Sequence, residues 1–570
     1  VKSPSKLSRR HLIECIGGAC LISPCSPLVS ALIQLDVSTP EKSEQSLRCV
    51  NVVNFIRAVE PRFEIDLLLP VQEQMKAIVA QDLPATWLLQ YDALVSGPFV
   101  DFLKTHMPKS HEVGFWFEMN EKFCNAAKVE WRGRPGFEWD SQPSVAFTIG
   151  YTPKERIMLA DEAMRQFKEI WGREPSSIAS WNLDSTTLER LVDHYGIDAA
   201  AVCRDQISTD GFTIWGAPIA GYYPSKVNCW SPALARENQI NVPIFRMLGQ
   251  DPVYYYDDGY KLPSGRTVGQ PDTMEPVWIS GRSPRFIDTF LNMISHEPCL
   301  EFAYAQLGQE NSFGWPSMAE AYPVQMKALK DLRDTGAVHV ETMGDSGRRF
   351  KKAFAQTPSQ AQIQLQDPFG NEDPAQRSAW YQSRFYRADL HMKGDLPYLR
   401  DLTVYRDHFP QPFLSEPTRS HEVEQRLPAV LDGFHWRADS SPDGLPGAGG
   451  FFFVNGRILR TVAIPKVRKR ENALWMDFAL EDGNSLHARF EADRVMFELS
   501  SKSNSELELH FKWDPSKAPA IEVRPHRVAY RWQDFEYSVI VQSGTAKSEP
   551  TGWSIAASNR KISLLLGQPG

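Results

Sequence analysis

Carboxylates, amides, guanidiniums and an indole recur just after short apolar runs in the first two thirds of this chain. Arg57 and Glu60 follow the run 50–56, Gln90 closes the run 85–90, and Glu118 follows 113–117. Trp181 and Asp184 come at and after 178–181, and Asp205 and Gln206 after 199–203. Arg246 and Asp251 flank a run at 243–248, and Gln309 and Glu310 follow 300–306. Such groups gathered on one face suit a sugar. Polar side chains read hydroxyls, aromatic faces stack on rings, and two carboxyls do acid and base work. Asp184 and Glu310 sit in apolar, aromatic contexts that raise a carboxyl pKa, as a general acid requires, and are the expected catalytic pair. Arg57, Glu60, Gln90, Glu118, Trp181, Asp205, Gln206, Arg246, Asp251 and Gln309 are the expected substrate contacts. The competing reading is that charges at strand ends are solvated or form structural ion pairs, Arg57 with Glu60 foremost. Tyr254-Tyr255-Tyr256 reads equally as a stacking wall or as loop packing.

Other chemistries lack their signatures. The 13 histidines are scattered, and His296-Glu297 has no second histidine at helical spacing, so no metal site is expected. Neither a phosphate-binding Gly-rich loop nor a Gly-x-Ser-x-Gly elbow occurs, and no cofactor is expected. A formal charge of −8 argues against a sequence-independent hold on nucleic acid. A run of 18 or more apolar residues is absent, so no membrane span is expected. The expected partner is a carbohydrate substrate, and the oligomeric state is left open.

The elements that must position these groups alternate between strand and helix. Strands are expected over 50–56, 85–90, 113–117, 178–181, 199–203, 243–248, 300–306 and 338–342. Helices are expected over 70–81, 99–105, 152–171, 185–195 and 318–335. Thr152, Pro153 and Glu155 form a capping-box pattern, and Gly196 and Gly336 stand where helices stop. Repeated β-then-α units imply parallel pairing with right-handed crossovers, and polar residues clustered after strands match the C-terminal face of a barrel. The fold class expected is therefore α/β: a (β/α)7-type barrel over 49–355, then an all-β sandwich over 379–570, joined by a polar linker over 356–378. Before the barrel, Arg9-Arg10 followed by a weakly apolar stretch reads as a twin-arginine signal peptide over 1–31, with a linker over 32–48. That leader predicts a periplasmic or secreted protein.

Ser180-Trp181-Asn182-Leu183-Asp184, then a helix and Tyr195-Gly196-Ile197-Asp198, resembles the nucleophile strand of retaining glycosidases with a (β/α)7 barrel. These are the alpha-mannosidase type of glycoside hydrolase family 38 and the amylase type of family 57. The resemblance gives the nucleophile role to Asp184. Gln309-Glu310-Asn311-Ser312-Phe313-Gly314-Trp315 is similar to the acid/base region of family 57, with Gln309 at the family's acidic position and Glu310 one residue later. The barrel also resembles polysaccharide deacetylases, although Glu60 and the stretch from Val113 to Glu118 stand where their metal-binding motifs would be. More broadly, residues 49–570 look like an uncharacterised bacterial family combining such a barrel with a C-terminal β-domain. That resemblance rests on Asn54-Phe55-Ile56-Arg57, Val59-Glu60-Pro61-Arg62, Leu89-Gln90-Tyr91-Asp92 and Asp205-Gln206. A glycoside hydrolase is the expected function; a non-catalytic carbohydrate-binding barrel or a deacetylase-like esterase is the alternative.

Overall fold

The computed structural model describes residues 46–570 apart from 204–206, 209–213, 216–218, 257–258, 262–266, 270–271, 373, 422, 425, 440–443 and 568–570. The expected leader, Asp205 and Gln206 thus lie outside the described residues.

Seven parallel strands carry the first half: β1 (Leu47–Ile56), β2 (Thr86–Leu89), β3 (Glu112–Trp116), β4 (Ser177–Ser180), β5 (Ala199–Val202), β6 (Ile244–Arg246) and β7 (Phe302–Leu307). Their order is β6-β5-β4-β3-β2-β1-β7, every neighbour parallel. No ladder joins β6 to β7 among the described residues, so the sheet is a seven-strand parallel run rather than a demonstrated closed barrel. The strands are buried along nearly their whole length, as parallel strands covered on both faces must be. The two asparagines inside β1 serve the neighbours. Asn51 donates to the Glu341 carbonyl at 2.8 Å, and Asn54 accepts from the Gln309 amide at 3.1 Å.

Crossover helices follow local rules. The helix α1 (Leu68–Val79) precedes β2. The long α2 (Pro153–Trp171) has the expected capping box of Thr152 with Glu155, and Gly172 stops it in a left-handed turn at φ 70°. The next, α3 (Ser185–Tyr195), ends on left-handed Gly196, as expected. Besides several helices of six residues or fewer, two longer ones went unexpected: α4 (Pro284–Ser295), capped by Ser283, and α6 (Met343–Ala353), capped by Thr342. Between them α5 (Ala321–Asp334) starts three residues later than expected. No helix among the described residues is long and apolar enough to cross a membrane.

The segment 356–378, expected as a linker, is structural. It holds β8 (Gln360–Gln364), whose Gln360 pairs with Phe302 of β7. β8 then pairs antiparallel with β9 (Gln376–Gln382), which continues into β10 (Tyr386–Lys393) and β11 (Leu396–Val404). Through these strands the parallel sheet runs on into a 19-stranded mixed sheet. A separate 8-stranded antiparallel sheet occupies the C-terminal region. One hydrophobic cluster takes Ala361, Tyr381, Leu399 and Phe452 from the first sheet and Leu474, Phe490, Val539 and Ile562 from the second. Ser46–Gly570 forms one compact unit.

Candidate functional site

Arg57, the first residue past β1, stands at the centre of a buried charged cluster beyond the C-terminal strand ends. Its backbone is fixed by Asn311, which accepts from the Arg57 N–H at 2.9 Å and donates to its carbonyl at 2.8 Å. Its guanidinium Nη2 meets Glu118 Oε2 at 3.2 Å and Glu310 Oε2 at 3.5 Å, and Nη1 lies 3.9 Å from Glu60. Both Glu118 and Glu310 approach the same nitrogen, so their oxygens lie within the sum of those two distances of each other. The Trp139 ring, 3.9 Å from the guanidinium carbon, covers it. Glu60 is shared with Arg62, whose Nε donates to it at 2.5 Å. Asp92, behind β2, accepts the Ala58 N–H at 3.0 Å, and burial pushes its carboxyl up to about 6. Burial also holds the Glu118 carboxyl above the ordinary range, against the pull of Arg57 and of the Trp116 indole that donates to it at 2.7 Å.

A cleft opens beside this cluster, lined by Val53, Phe55, Trp181, Met247, Leu248, Glu275 and residues 306–310. Inside it, the space open to the centre of a water molecule is about 10 Å³, room for roughly one water. Phe55 and Trp181 meet edge to face at 5.8 Å, and Phe55 stacks on Trp116 at 3.9 Å, so the aromatic wall is rigid. A glycine brings Gln309 and Glu310 to this position. Gly308 has φ 123°, and a Cβ there would stand 2.0 Å from the Val53 carbonyl oxygen, so only glycine lets the end of β7 cross so close to β1.

Two carboxyls line the cleft. Glu310 accepts from the Ser312 hydroxyl on one oxygen and faces Arg57 with the other. Glu275, between β6 and α4, accepts only from neutral donors among the described residues. Gln309 Nε2 donates to Oε1 at 3.0 Å, and the Trp278 indole and the Thr273 hydroxyl donate to Oε2 at 2.9 and 3.1 Å. These fill three of its four acceptor positions and leave one, on Oε1. Burial raises the Glu275 carboxyl above its usual range, and the nearby charge of Glu310 pushes the same way. Several buried polar atoms hereabouts meet no protein partner among the described residues: Arg57 Nε, both amide atoms of Gln90, Asn182 Oδ1 and Gln309 Oε1. Buried polar atoms are normally satisfied, so this many at strand ends marks a place for water or ligand.

The expected residues divide accordingly. Arg57, Glu60, Glu118 and Glu310 come together on one guanidinium, and Trp181, Gln309 and Glu310 line the cleft. Gln90 and Arg246 are buried at strand ends but are not among the cleft's lining residues. Asp184 and Glu310, the expected pair, are not brought together on the cleft. Asp184 is the N-cap of α3: it accepts the Thr187 N–H at 3.0 Å and hydroxyl at 2.6 Å, and it pairs with buried Arg156 at 3.2 Å. Both its oxygens are used in holding α3 to α2, and it does not line the cleft. Asp251 is likewise turned inward. It accepts the Tyr254 N–H at 2.6 Å, and burial pushes its carboxyl up to about 7. The tyrosines after it are loop packing: Tyr254 bonds Asp367, and Tyr256 donates to Asp401 at 2.8 Å. Sequence reasoning missed Glu275. The only signal was a glutamate between Met274 and Pro276, three residues before a tryptophan, in a stretch with no strand or helix period. Among the described residues no group of three or more His, Cys, Asp or Glu side chains is placed to hold a metal ion.

No family model matches the chain, and no curated protein matches it. Solved structures are similar at a distance. A candidate glycoside hydrolase/deacetylase from Parabacteroides distasonis aligns at 17% identity and TM-score 0.49, over 66% of this chain and 88% of that one. A candidate polysaccharide deacetylase from Mycobacterium smegmatis aligns at 12% identity and TM-score 0.34, over 57% of this chain and 98% of that one. A further candidate polysaccharide deacetylase, from Pseudomonas aeruginosa PAO1, aligns at 11% identity and TM-score 0.32, over 54% of this chain and 92% of that one. At these identities and TM-scores the likeness does not extend to an activity.

Proposed function

We propose that the chain is a glycoside hydrolase of extracytoplasmic glycans that works through Glu275 and Glu310. One observation carries this reading: two buried carboxyls line one aromatic-walled cleft at the C-terminal strand ends, in opposite electrostatic settings. Glu275 is the proton donor. Burial and the charge of Glu310 favour its protonated form, and its proton belongs on the one acceptor position its neighbours leave open. Glu310 is the carboxylate, facing the Arg57 guanidinium, and serves as nucleophile or as base for the attacking water. Glu118 and Glu60 share Arg57 with Glu310 and so set how much of its charge Glu310 receives. The seven-strand parallel run is the scaffold in this reading, and the twin-arginine pattern supports a substrate outside the cytoplasm.

The test is a panel of glycans read by released reducing ends. Glu275→Gln and Glu310→Gln should each lower turnover by about 10²–10⁴-fold, with thermal melting little changed. Asp184→Asn should instead lower the melting temperature, because it weakens the α3 cap and the Arg156 pair. Acetate release without reducing ends would replace this reading by a deacetylase-like esterase. Binding without either product would replace it by a carbohydrate-binding protein.

A further inference from the structure

Gln309 is fixed at three points. Its N–H donates to Asn54 Oδ1 at 3.1 Å, its carbonyl accepts from Gln74 Nε2 at 3.0 Å, and its side-chain Nε2 donates to Glu275 Oε1 at 3.0 Å. The amide face is thereby set: the NH₂ end is turned to a carboxyl that can accept it, so the carbonyl end points the other way. That oxygen, Oε1, is buried in a residue only 3% exposed that lines the cleft, and it meets no donor among the described residues. A buried acceptor left alone costs about 1–3 kcal/mol, so the position is built for a donor that arrives with the ligand. Of the cleft's other polar side chains, Glu275 and Glu310 are acceptors whenever ionised, and Gln306 carries both an acceptor and a donor end.

We propose that the cleft reads a hydrogen-bond donor on the sugar, a hydroxyl or an amine or amide N–H, through Gln309 Oε1, and that it discriminates against a sugar lacking a donor at that position. Gln309 is therefore the specificity-determining residue, and through Nε2 it also positions Glu275. This rests on the glycosidase reading for the identity of the ligand, but not on turnover.

The experiment uses sulfur-linked disaccharides, which resist hydrolysis, so that binding is measured whether or not the chain cleaves glycans. Four forms of one disaccharide are titrated calorimetrically into the unmodified protein: hydroxyl, free amine, N-acetyl and deoxy at the tested ring position, with each position tested in turn. At one position the best of the hydroxyl, amine and N-acetyl forms should bind at least about 10-fold more tightly than the deoxy form; which of the three binds best names the donor. Gln309→Met, of similar volume, should reduce that preference to less than about 3-fold. Gln309→Glu, which keeps an acceptor oxygen there, should retain it; a merely structural role would lose binding of all four forms together in both variants. Deoxy binding equal to or tighter than all three donor forms at every position overturns the proposal, and so does failure of all four forms to bind. Donor-selective binding with no reducing ends released from any glycan would leave this inference standing and remove the glycosidase.

Discussion

Two of the buried charged clusters among the described residues are built on opposite principles. In the β9–β11 meander, Arg387 bonds Asp401 through Nε and Nη2, both at 3.1 Å, and Arg400 bonds Asp389 at 2.5 Å. Neutral donors complete the set: Ser378 gives to Asp389 at 2.5 Å, and Thr403 and Tyr256 give to Asp401 at 3.0 and 2.8 Å. Each carboxylate has its own guanidinium. Around Arg57, one guanidinium serves Glu60, Glu118 and Glu310, with only Arg62 added, and polar atoms nearby are left without protein partners. The balanced cluster joins the meander to the loop after β6, because Arg400 also donates to the Val253 and Pro252 carbonyls at 2.6 and 3.0 Å. The unbalanced one faces a cleft. Charge balance, rather than burial or charge content, is what differs between the two.

The largest effect should come from the same amide substitution made in each cluster. Asp401→Asn leaves Arg387 buried without its counter-charge and should cost about 3–5 kcal/mol of stability. Glu118→Gln removes one of several carboxylates crowding Arg57, relieving its repulsion of Glu310. It should leave stability within about 1 kcal/mol of the parent, or raise it, while lowering turnover. Denaturant unfolding of both variants measures this. Equal destabilisation in the two would erase the distinction.

How far the sequence displayed this contrast depends on the element. The capping box at Thr152 and Glu155 and the stop at Gly196 are local chemistry, and they formed as expected. The strands before Arg57, Gln90 and Glu118 were legible because parallel strands bury both faces and read as apolar runs. The meander was not. Arg387, Asp389, His391, Arg400 and Asp401 are all buried within it, and their polarity hides the strand period, because what satisfies them is pairing across strands that sequence cannot show. Asp184 and Glu310 looked alike in sequence, each a carboxylate after an apolar strand. What separates them is that Asp184 stands three residues before a threonine opening a helix, the spacing of an N-cap, whereas Glu310 follows a glycine that only the crossing with Val53 explains. Glu275 had no periodic element around it, and its role comes entirely from tertiary partners.

A second, smaller effect sharpens the comparison through pH. Asp92 has a folded pKa of about 6, against about 3.9 for an unfolded aspartate. Between those values the native state binds the proton more tightly, so its contribution to stability is greatest at low pH and falls as pH rises from about 4 to 6. The difference amounts to about 2–3 kcal/mol. Asp92→Asn removes this slope, so at pH 7 the variant should match or exceed the parent, while at pH 4 it gains nothing. Asp389 is also pushed up to about 6 by burial, yet Asp389→Asn strips Arg400 of its carboxylate partner at pH 7 and should destabilise there, the loss shrinking towards pH 4, where the parent carboxyl is itself protonated. Urea unfolding at pH 4, 5, 6 and 7 compares them. Parallel curves for Asp92→Asn and its parent would remove the claim that the site cluster stores a proton.

The smallest effect concerns single hydrogen bonds to a carboxyl in each cluster. Trp278 donates to Glu275 at 2.9 Å, and Tyr256 donates to Asp401 at 2.8 Å. Both bonds favour the charged carboxylate, and each is worth about 1 kcal/mol. In the balanced cluster the loss should appear as stability, so Tyr256→Phe should lower unfolding free energy by that amount and leave the pH–activity profile alone. At the cleft the same loss acts on a group that burial already favours in its protonated form. With Trp278→Phe the carboxylate form of Glu275 loses a donor and its pKa rises further. If Glu275 is the proton donor, its deprotonation sets the basic limb of kcat/KM. That limb should move to higher pH by about 0.5–1 unit, with activity lost less steeply on the alkaline side. A Trp278→Phe profile that drops in height without moving would show that the indole packs the cleft but does not tune its acid, and the proton would then have to be assigned to Glu118 or Asp92.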